Sequence, residues 1–344
     1  MKKLCVFTLY DIKGASSQYR AYLYKEEMEK HFDVQWFPFW SNKYIEKYMH
    51  NKRKYFFLIG IEYFISFLMR LVQLYLIAPK CDVIFIQKCS IPEIKNSFLC
   101  RAKKNGVRIV LDVDDAVYLN KRDSTDKIAK IADVVICGNT MLKTHYEQFN
   151  KNCVVLPTVE NTRLFEPFWK NTYDEKVICW IGSLSTIDNL ELVMEPINEV
   201  IKRHPEVSFR IISNNDHGYA GKIKNASLIE WDRNTYIAEL SKCSVGIMPL
   251  KNSEFNKCKC GFKLIQYLNM KKPVIGSPVG INSDIINLNG LVAKTETDWI
   301  QALEQLLFDE DCYKKCVEHI EHDFFNRYNF DIIKDKLINI LKGI

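Results

Sequence analysis

The sequence predicts an α/β fold: two doubly wound parallel-sheet domains in series, facing across a cleft. Three observations predict it. Short β-branched runs alternate with helix-like segments along the chain. Many of those runs are continuously apolar, the pattern of strands covered on both faces. The chain has 344 residues, and at roughly 150 residues per domain that length makes about two domains.

Residues 3–9 read as the first strand, followed by a Gly-Ala-Ser-Ser turn at 14–17 and a helix over 18–31. Residues 33–39 read as the second strand. After a long apolar insert, strands are expected at 82–87, 108–113, 133–137 and 153–156, with a helix over 140–148. Pro157 opens a strand-poor stretch with Pro167, Trp169 and Asn171, which reads as the linker. The alternation then restarts. Strands are expected at 176–181, 208–212, 227–231, 245–249 and 273–276. Helices are expected at 189–204 (with Asp188 as N-cap), 235–243, 263–270, 299–308, 310–325 and 331–341.

Composition excludes several classes. With 47% hydrophobic and 26% charged residues, the chain is an ordinary globular one, not disordered, collagen-like or a disulfide-dense miniprotein. Lys+Arg 48 against Asp+Glu 42 leaves +6, too little to argue a nucleic-acid partner. The charge is uneven: up to Pro157 there are 25 basic and 16 acidic residues, and beyond it 23 and 26. The basic half is therefore the one to face an anionic partner. Twelve cysteines without a repeated spacing, several in apolar runs, read as reduced and buried in a cytosolic protein. Cys258 and Cys260 form a lone C-x-C with no second pair nearby, which argues against zinc. The N-terminal run ends at Asp11 and does not read as a signal peptide.

The insert over 55–77 is apolar and aromatic, interrupted by Glu62, Arg70 and Gln73. Just upstream lie Lys43, Lys47, Lys52, Arg53 and Lys54, interleaved with tyrosines. Three readings stay open: core-facing helices with a solvated basic face, a surface-lying amphipathic element touching anionic lipid, or a transmembrane helix.

In doubly wound sheets, ligands sit beyond the C-terminal ends of the strands. The loop after the first strand carries Gly14, Ser17 and Arg20, which can offer N–H groups, a hydroxyl and a guanidinium to an anion, or can simply cap a helix. The strand over 108–113 runs into Asp112, Asp114 and Asp115. Alternation along an extended segment puts Asp112 and Asp114 on one face and Asp115 on the other. They could bind hydroxyls, act as a base, hold a cation or cap the next helix. Gly182, Ser183, Ser185 and Thr186 resemble a phosphate cradle without the P-loop lysine, or form a plain helix-capping loop. Lys259 and Lys263 flank Gly261, four apart, on one helical face or lining a helix start. Two ammonium groups there can neutralise a diphosphate, or simply belong to a solvated charge run. The run from Pro273 to Gly280 has glycines that let backbone approach a ligand, or ordinary turns.

Taken together, these residues resemble the GT-B glycosyltransferases, in particular the retaining glycosyltransferase family 4 group. The resemblance covers most of the chain. It is carried by Trp180-Ile181-Gly182-Ser183, Gly246-Ile247-Met248-Pro249-Leu250, Lys259-Cys260-Gly261-Phe262-Lys263 with Tyr267, Pro273 to Gly280, and Trp299. Ser17-Gln18-Tyr19-Arg20, Asp112 to Asp115 and Gly138-Asn139 look like a branch of that group.

The resemblance implies two Rossmann-like domains: an acceptor-binding one over 1–160 with 326–344 packing back onto it, and a donor-binding one over 172–325. The donor is a nucleoside-diphosphate sugar, met by Gly182, Ser183, Thr186, Trp231, Lys259, Gly261 and Lys263. The acceptor is a carbohydrate or lipid-linked glycan, met by Gly14, Ser17 and Arg20. Neither a metal nor a cofactor is expected. Asp112, Asp114, Asp115, Lys259 and Lys263 form the catalytic set, the aspartates as bases if configuration inverts. The expected setting is bacterial polysaccharide or cell-envelope glycan synthesis, in the cytoplasm or at the inner face of the plasma membrane. The chain departs from the family at its two E-x7-E glutamates, where Cys258 and Gln266 stand. The basic residue after the Gly-Ser loop is also missing, and the Asp112 to Asp115 cluster replaces a strand-end histidine. Three rivals follow: a non-catalytic nucleotide-sugar binder, a sugar-nucleotide epimerase and an NAD-linked oxidoreductase, the last lowered by the lack of G-x-G-x-x-G.

Overall fold

A computed structural model describes residues 1–344, the side chain of His50 excepted. The chain divides into two compact units, Met1–Thr158 with Asp331–Ile344, and Val159–Phe330.

In the first unit, six strands form one parallel sheet: β1 (Lys2–Tyr10), β2 (Phe32–Trp40), β3 (Val83–Gln87), β4 (Arg108–Val113), β5 (Val134–Cys137) and β6 (Cys153–Val155). Their order is β2-β1-β3-β4-β5-β6, and β3 and β5 are buried along their whole length. The C-terminal helix Phe330–Lys342 ties into this unit, where Arg108 donates to the Ile340 carbonyl at 3.2 Å. The expected helix over 18–31 is broken. Ala15–Arg20 ends at Ala21, whose backbone leaves the helical region, and Lys25–His31 begins a new helix.

The second unit repeats the plan with β7 (Val177–Ile181), β8 (Ser208–Ile212), β9 (Ala226–Ile229), β10 (Val245–Met248), β11 (Val274–Gly276) and β12 (Gly290–Val292). Their order is β12-β11-β10-β7-β8-β9, all parallel. Trp180, Phe209, Ile247 and Trp299 lie in its core. Strand β12 was not expected: it is three residues long, and only pairing with β11 makes it a strand. Asp188 is not an N-cap but lies inside a 3₁₀ helix, Leu184–Leu192, with the α-helix starting at Met194. The stretch read as a linker is packed. Trp169 donates to the Asn269 carbonyl at 2.7 Å, and Thr162 to the Asn269 side chain at 2.7 Å.

Ten cysteines are free, as the reduced reading expects. Cys5 and Cys81 depart from it and are bonded to each other.

The apolar insert forms a helix, Phe56–Val72, continued by a π turn, Gln73–Ile77, and a 3₁₀ turn, Ala78–Lys80. By length and composition alone it could cross a membrane, yet it packs on the first unit through its polar residues. Arg70 is buried and donates to the carbonyls of Ser90 (2.5 Å) and Phe37 (2.7 Å). The core-facing reading of the insert is corrected here: Phe57, Ile61, Phe64 and Ile65 are exposed.

Candidate functional site

The strand-end loops of the two sheets treat charge differently. In the first unit Gly14, Ser17, Arg20 and Asp112 are buried, while Asp114 and Asp115 stay partly exposed. Gly14 sits so close to Tyr10 that a Cβ would lie 2.2 Å from the Tyr10 Cβ, so its role is space. Ser17 is buried; it accepts from the Tyr10 N–H at 3.0 Å and bonds to Gln87 Oε1 at 3.0 Å, linking β1 to β3. Arg20 is buried against Asp112. Its Nε donates to Oδ2 at 3.1 Å and its Nη2 to Oδ1, while Nη1 reaches the Leu156 carbonyl at 2.8 Å and Thr158 at 3.3 Å. Burial pushes the Asp112 pKa above the ordinary aspartate value, and the Arg20 guanidinium only partly offsets this. A carboxylate locked in a two-pronged buried pair is out of reach of a substrate hydroxyl. Asp112, read as a base, and Gly14, Ser17 and Arg20, read as acceptor contacts, thus all have structural partners within the first unit.

Asp114 and Asp115 share a different partner. Lys88 Nζ lies 3.2 Å from Asp114 Oδ1 and 2.8 Å from Asp115 Oδ2. The face alternation expected of the three aspartates stops because β4 ends at Val113. Burial opposes the Lys88 ammonium, but the two carboxylates outweigh it and raise its pKa. Lys88 escaped the sequence reading. Its signal was present: it directly follows the apolar run read as a strand over 82–87, and the structure gives it a left-handed backbone (φ 69°) at the end of β3.

In the second unit the predicted residues converge. Gly182 follows β7, and Ser183 and Thr186 open the 3₁₀ helix beyond it. Lys263 stands in the first turn of helix Phe262–Asn269 and donates to Thr186 Oγ1 at 3.2 Å. Its Nζ also lies 5.5 Å from the Trp180 ring centre. Gly182 makes this possible: a Cβ there would lie 2.6 Å from Lys263 Cε and 2.7 Å from the Trp180 ring. Gly261 caps the helix at φ 64°, a conformation that favours glycine. Lys259 lies before the helix, lining its start, over the Phe255 ring at 4.4 Å. Burial first, and the Lys259 ammonium second, push the Lys263 pKa down to about 7. The loops after β7, β10 and β11 are knit together here. Lys251 N–H donates to Asn189 Oδ1 at 2.8 Å, and Leu250 N–H to Ser277 Oγ at 3.0 Å.

Residues 175–309 match the family described as Glycosyl transferases group 1. All seven predicted donor residues fall inside that stretch, and the aspartates fall outside it. The E. coli trehalose-6-phosphate protein bound with UDP-2-fluoro glucose superposes with a TM-score of 0.68 at 11% identity, over 99% of each chain. The chain has the GT-B fold. Anabaena HepE in complex with UDP and glucose is similar over 100% of both chains, with a TM-score of 0.65 at 11% identity. A mutant of S. aureus TarM, in complex with Fondaparinux, alpha-GlcNAc-glycerol and UDP, matches at 0.58 and 16% identity. That match covers 75% of this chain and spans 55% of the length of TarM. No curated protein matches the chain by sequence.

Trp231 lies just past β9, stacked near Tyr236 with ring centres 6.0 Å apart. Tyr236 leads to a group the sequence reading missed. Glu160 is buried and accepts from Tyr236 Oη at 3.1 Å and Gln266 Nε2 at 3.1 Å. Gln266 stands where the GT-B domain resemblance implies a glutamate. The chain thus places a carboxylate beside Gln266 from residue 160, within the stretch read as a linker. Nothing local in the sequence marks it.

Proposed function

We propose that the chain transfers a sugar from a nucleoside-diphosphate sugar to a hydroxyl of a carbohydrate or lipid-linked glycan. One observation carries the reading: Lys263, an amine with pKa about 7, held by Thr186 at the Gly182–Ser183 loop. Its hydrogen-bond partner there is a hydroxyl, not a carboxylate. A diphosphate arriving there would draw the amine to its charged form, and Lys259 would add a second ammonium. As the bond from the anomeric carbon to the β-phosphate oxygen breaks, negative charge grows on that phosphate. Lys263, Lys259 and the N–H groups of Gly182 and Ser183 would stabilise it in place. With two ammonium groups supplying the charge, no metal is required.

The acceptor oxygen then bonds to the anomeric carbon. We propose retention of configuration, as in glycosyltransferase family 4, with the departing phosphate oxygen taking the acceptor proton. The aspartates support this: Asp112 is paired with Arg20, and Asp114 and Asp115 share Lys88, so none of the three stands as a ready base. Lys88 with those two aspartates is the remaining polar cluster for an acceptor hydroxyl. The ligands of HepE and TarM, UDP above all, favour UDP as the nucleotide. TarM with alpha-GlcNAc-glycerol favours a bacterial polysaccharide or cell-envelope setting. The ten free thiols favour the cytoplasm.

The test is a thermal-shift and turnover panel of UDP-, GDP-, ADP- and CMP-sugars with and without EDTA. One nucleotide should raise the melting temperature by mass action, and its sugar should be transferred or slowly hydrolysed. A second reading, a nucleotide-sugar binder without catalysis, is favoured by Cys258 and Gln266 in place of the two family glutamates. Tight donor binding with neither transfer nor hydrolysis would establish it instead.

A further inference from the structure

The helix Phe56–Lys80 is inverted with respect to water. Its polar residues face the protein. Glu62 accepts from the Ser41 N–H at 3.0 Å and hydroxyl at 2.7 Å, Tyr63 donates to the Pro92 carbonyl at 2.8 Å, and Arg70 lies over the rings of Phe7 and Phe39. Its apolar residues face outward at helical spacing: Phe57 is 82% exposed, Ile61 57%, Phe64 60% and Ile65 52%, with Leu68 and Val72 continuing the stripe. An exposed apolar surface of this length marks a contact with a partner or a membrane.

Charge decides between occupants. Lys52, Arg53 and Lys54 are exposed just before the helix, and Lys80 closes it. Lys43 and Lys47, also exposed, lie over Tyr48 and Tyr55 at 5.5 and 5.6 Å. A second copy seated on this stripe would set cation against cation whichever way its helix ran. An anionic surface meets both ends with opposite charge. Crossing a bilayer would mean tearing Glu62, Tyr63 and Arg70 from their partners, so the helix lies in the plane of the interface rather than through it.

We propose that this helix docks the first unit on anionic lipid, its apolar stripe sunk at the boundary of headgroups and acyl chains and its basic approach on the headgroups. The inference stands apart from the donor chemistry, because its readout is lipid capture and not turnover. Each basic residue near such a surface strengthens binding roughly fivefold.

The experiment is co-sedimentation of the full chain with vesicles of phosphatidylglycerol or of phosphatidylcholine, at low and high salt. The chain should pellet with phosphatidylglycerol, and high salt should release much of it. Phe57→Ser/Ile61→Ser/Ile65→Ser should stay in the supernatant with an unchanged circular dichroism spectrum. Lys52→Glu/Arg53→Glu/Lys54→Glu should lose the preference for the anionic lipid. Should the triple serine variant misfold, the charge variant and Ile61→Lys alone carry the test. Full recovery of the unmodified chain in the supernatant at low salt overturns the proposal. So does a lipid-free dimer, seen by sedimentation velocity, that the serine variant breaks while vesicles capture nothing.

Discussion

Arg20 in the first unit and Lys263 in the second are both cations near the C-terminal ends of parallel strands, and both are at least half-buried. Arg20 has Asp112 within hydrogen-bond reach and two further acceptors. Lys263 has a threonine hydroxyl, a tryptophan ring and a second ammonium nearby. The difference teaches how to tell a structural cation from a binding one. Where a carboxylate is supplied, charge is settled within the fold. At Lys263 no carboxylate is supplied and burial pushes the pKa down to about 7, so an incoming anion would complete the site proposed above.

Substitutions should split the two units by sign. Asp112→Ala leaves the buried Arg20 without its carboxylate, which should cost about 3–5 kcal/mol in denaturant unfolding. Lys263→Met removes a buried amine that lacks a carboxylate, and should leave stability unchanged or raised. Equal losses in both variants would erase the distinction.

Next in size is the effect on chemistry. Lys263→Met should lower turnover at saturating donor about a hundredfold, the consequence of losing roughly 3 kcal/mol of transition-state stabilisation. Unchanged turnover would remove the leaving-group role. A smaller effect is expected of Gly182→Ala. The added methyl must displace Lys263 Cε or the Trp180 ring, so donor affinity by titration calorimetry should fall, by about tenfold. An unaltered dissociation constant would show that the approach of Lys263 to the loop does not matter.

The gentlest test is pH. Burial lowers Lys263 to about 7 and Lys272 to about 8. The unfolded chain, with ordinary lysines, therefore holds more protons between those values and about 10.5. Stability of the donor-free protein should then rise as pH climbs through that window. Donor affinity should move the other way, weakening above pH 7 as Lys263 loses its proton. A melting temperature flat from pH 7 to 10, or donor affinity that rises with pH, would contradict the assignment.

The β-branched runs separated by helical segments determined two parallel sheets, because a strand buried on both faces must be apolar throughout, and only helices can cover both faces. The Gly-Ser loop after Ile181 and the lysines around Gly261 were legible for the same reason: strand-end position follows from the strand. Strand β12 was not legible, since three residues become a strand only beside a neighbour. Nor was the fate of the aspartates: Asp112 and Asp114 are two positions apart, yet Arg20 takes one and Lys88 the other, 92 residues away and at the end of an adjacent strand. Glu160 beside Gln266, 106 residues on, is of the same kind. The insert shows the limit most clearly. Its apolar, aromatic character was plain in the sequence, but which way the stripe faces was decided only when Arg70 found its carbonyl acceptors within the first unit. Sequence carries local period and residue chemistry; pairing across long separations and the choice of the buried face are settled only once packing brings partners together.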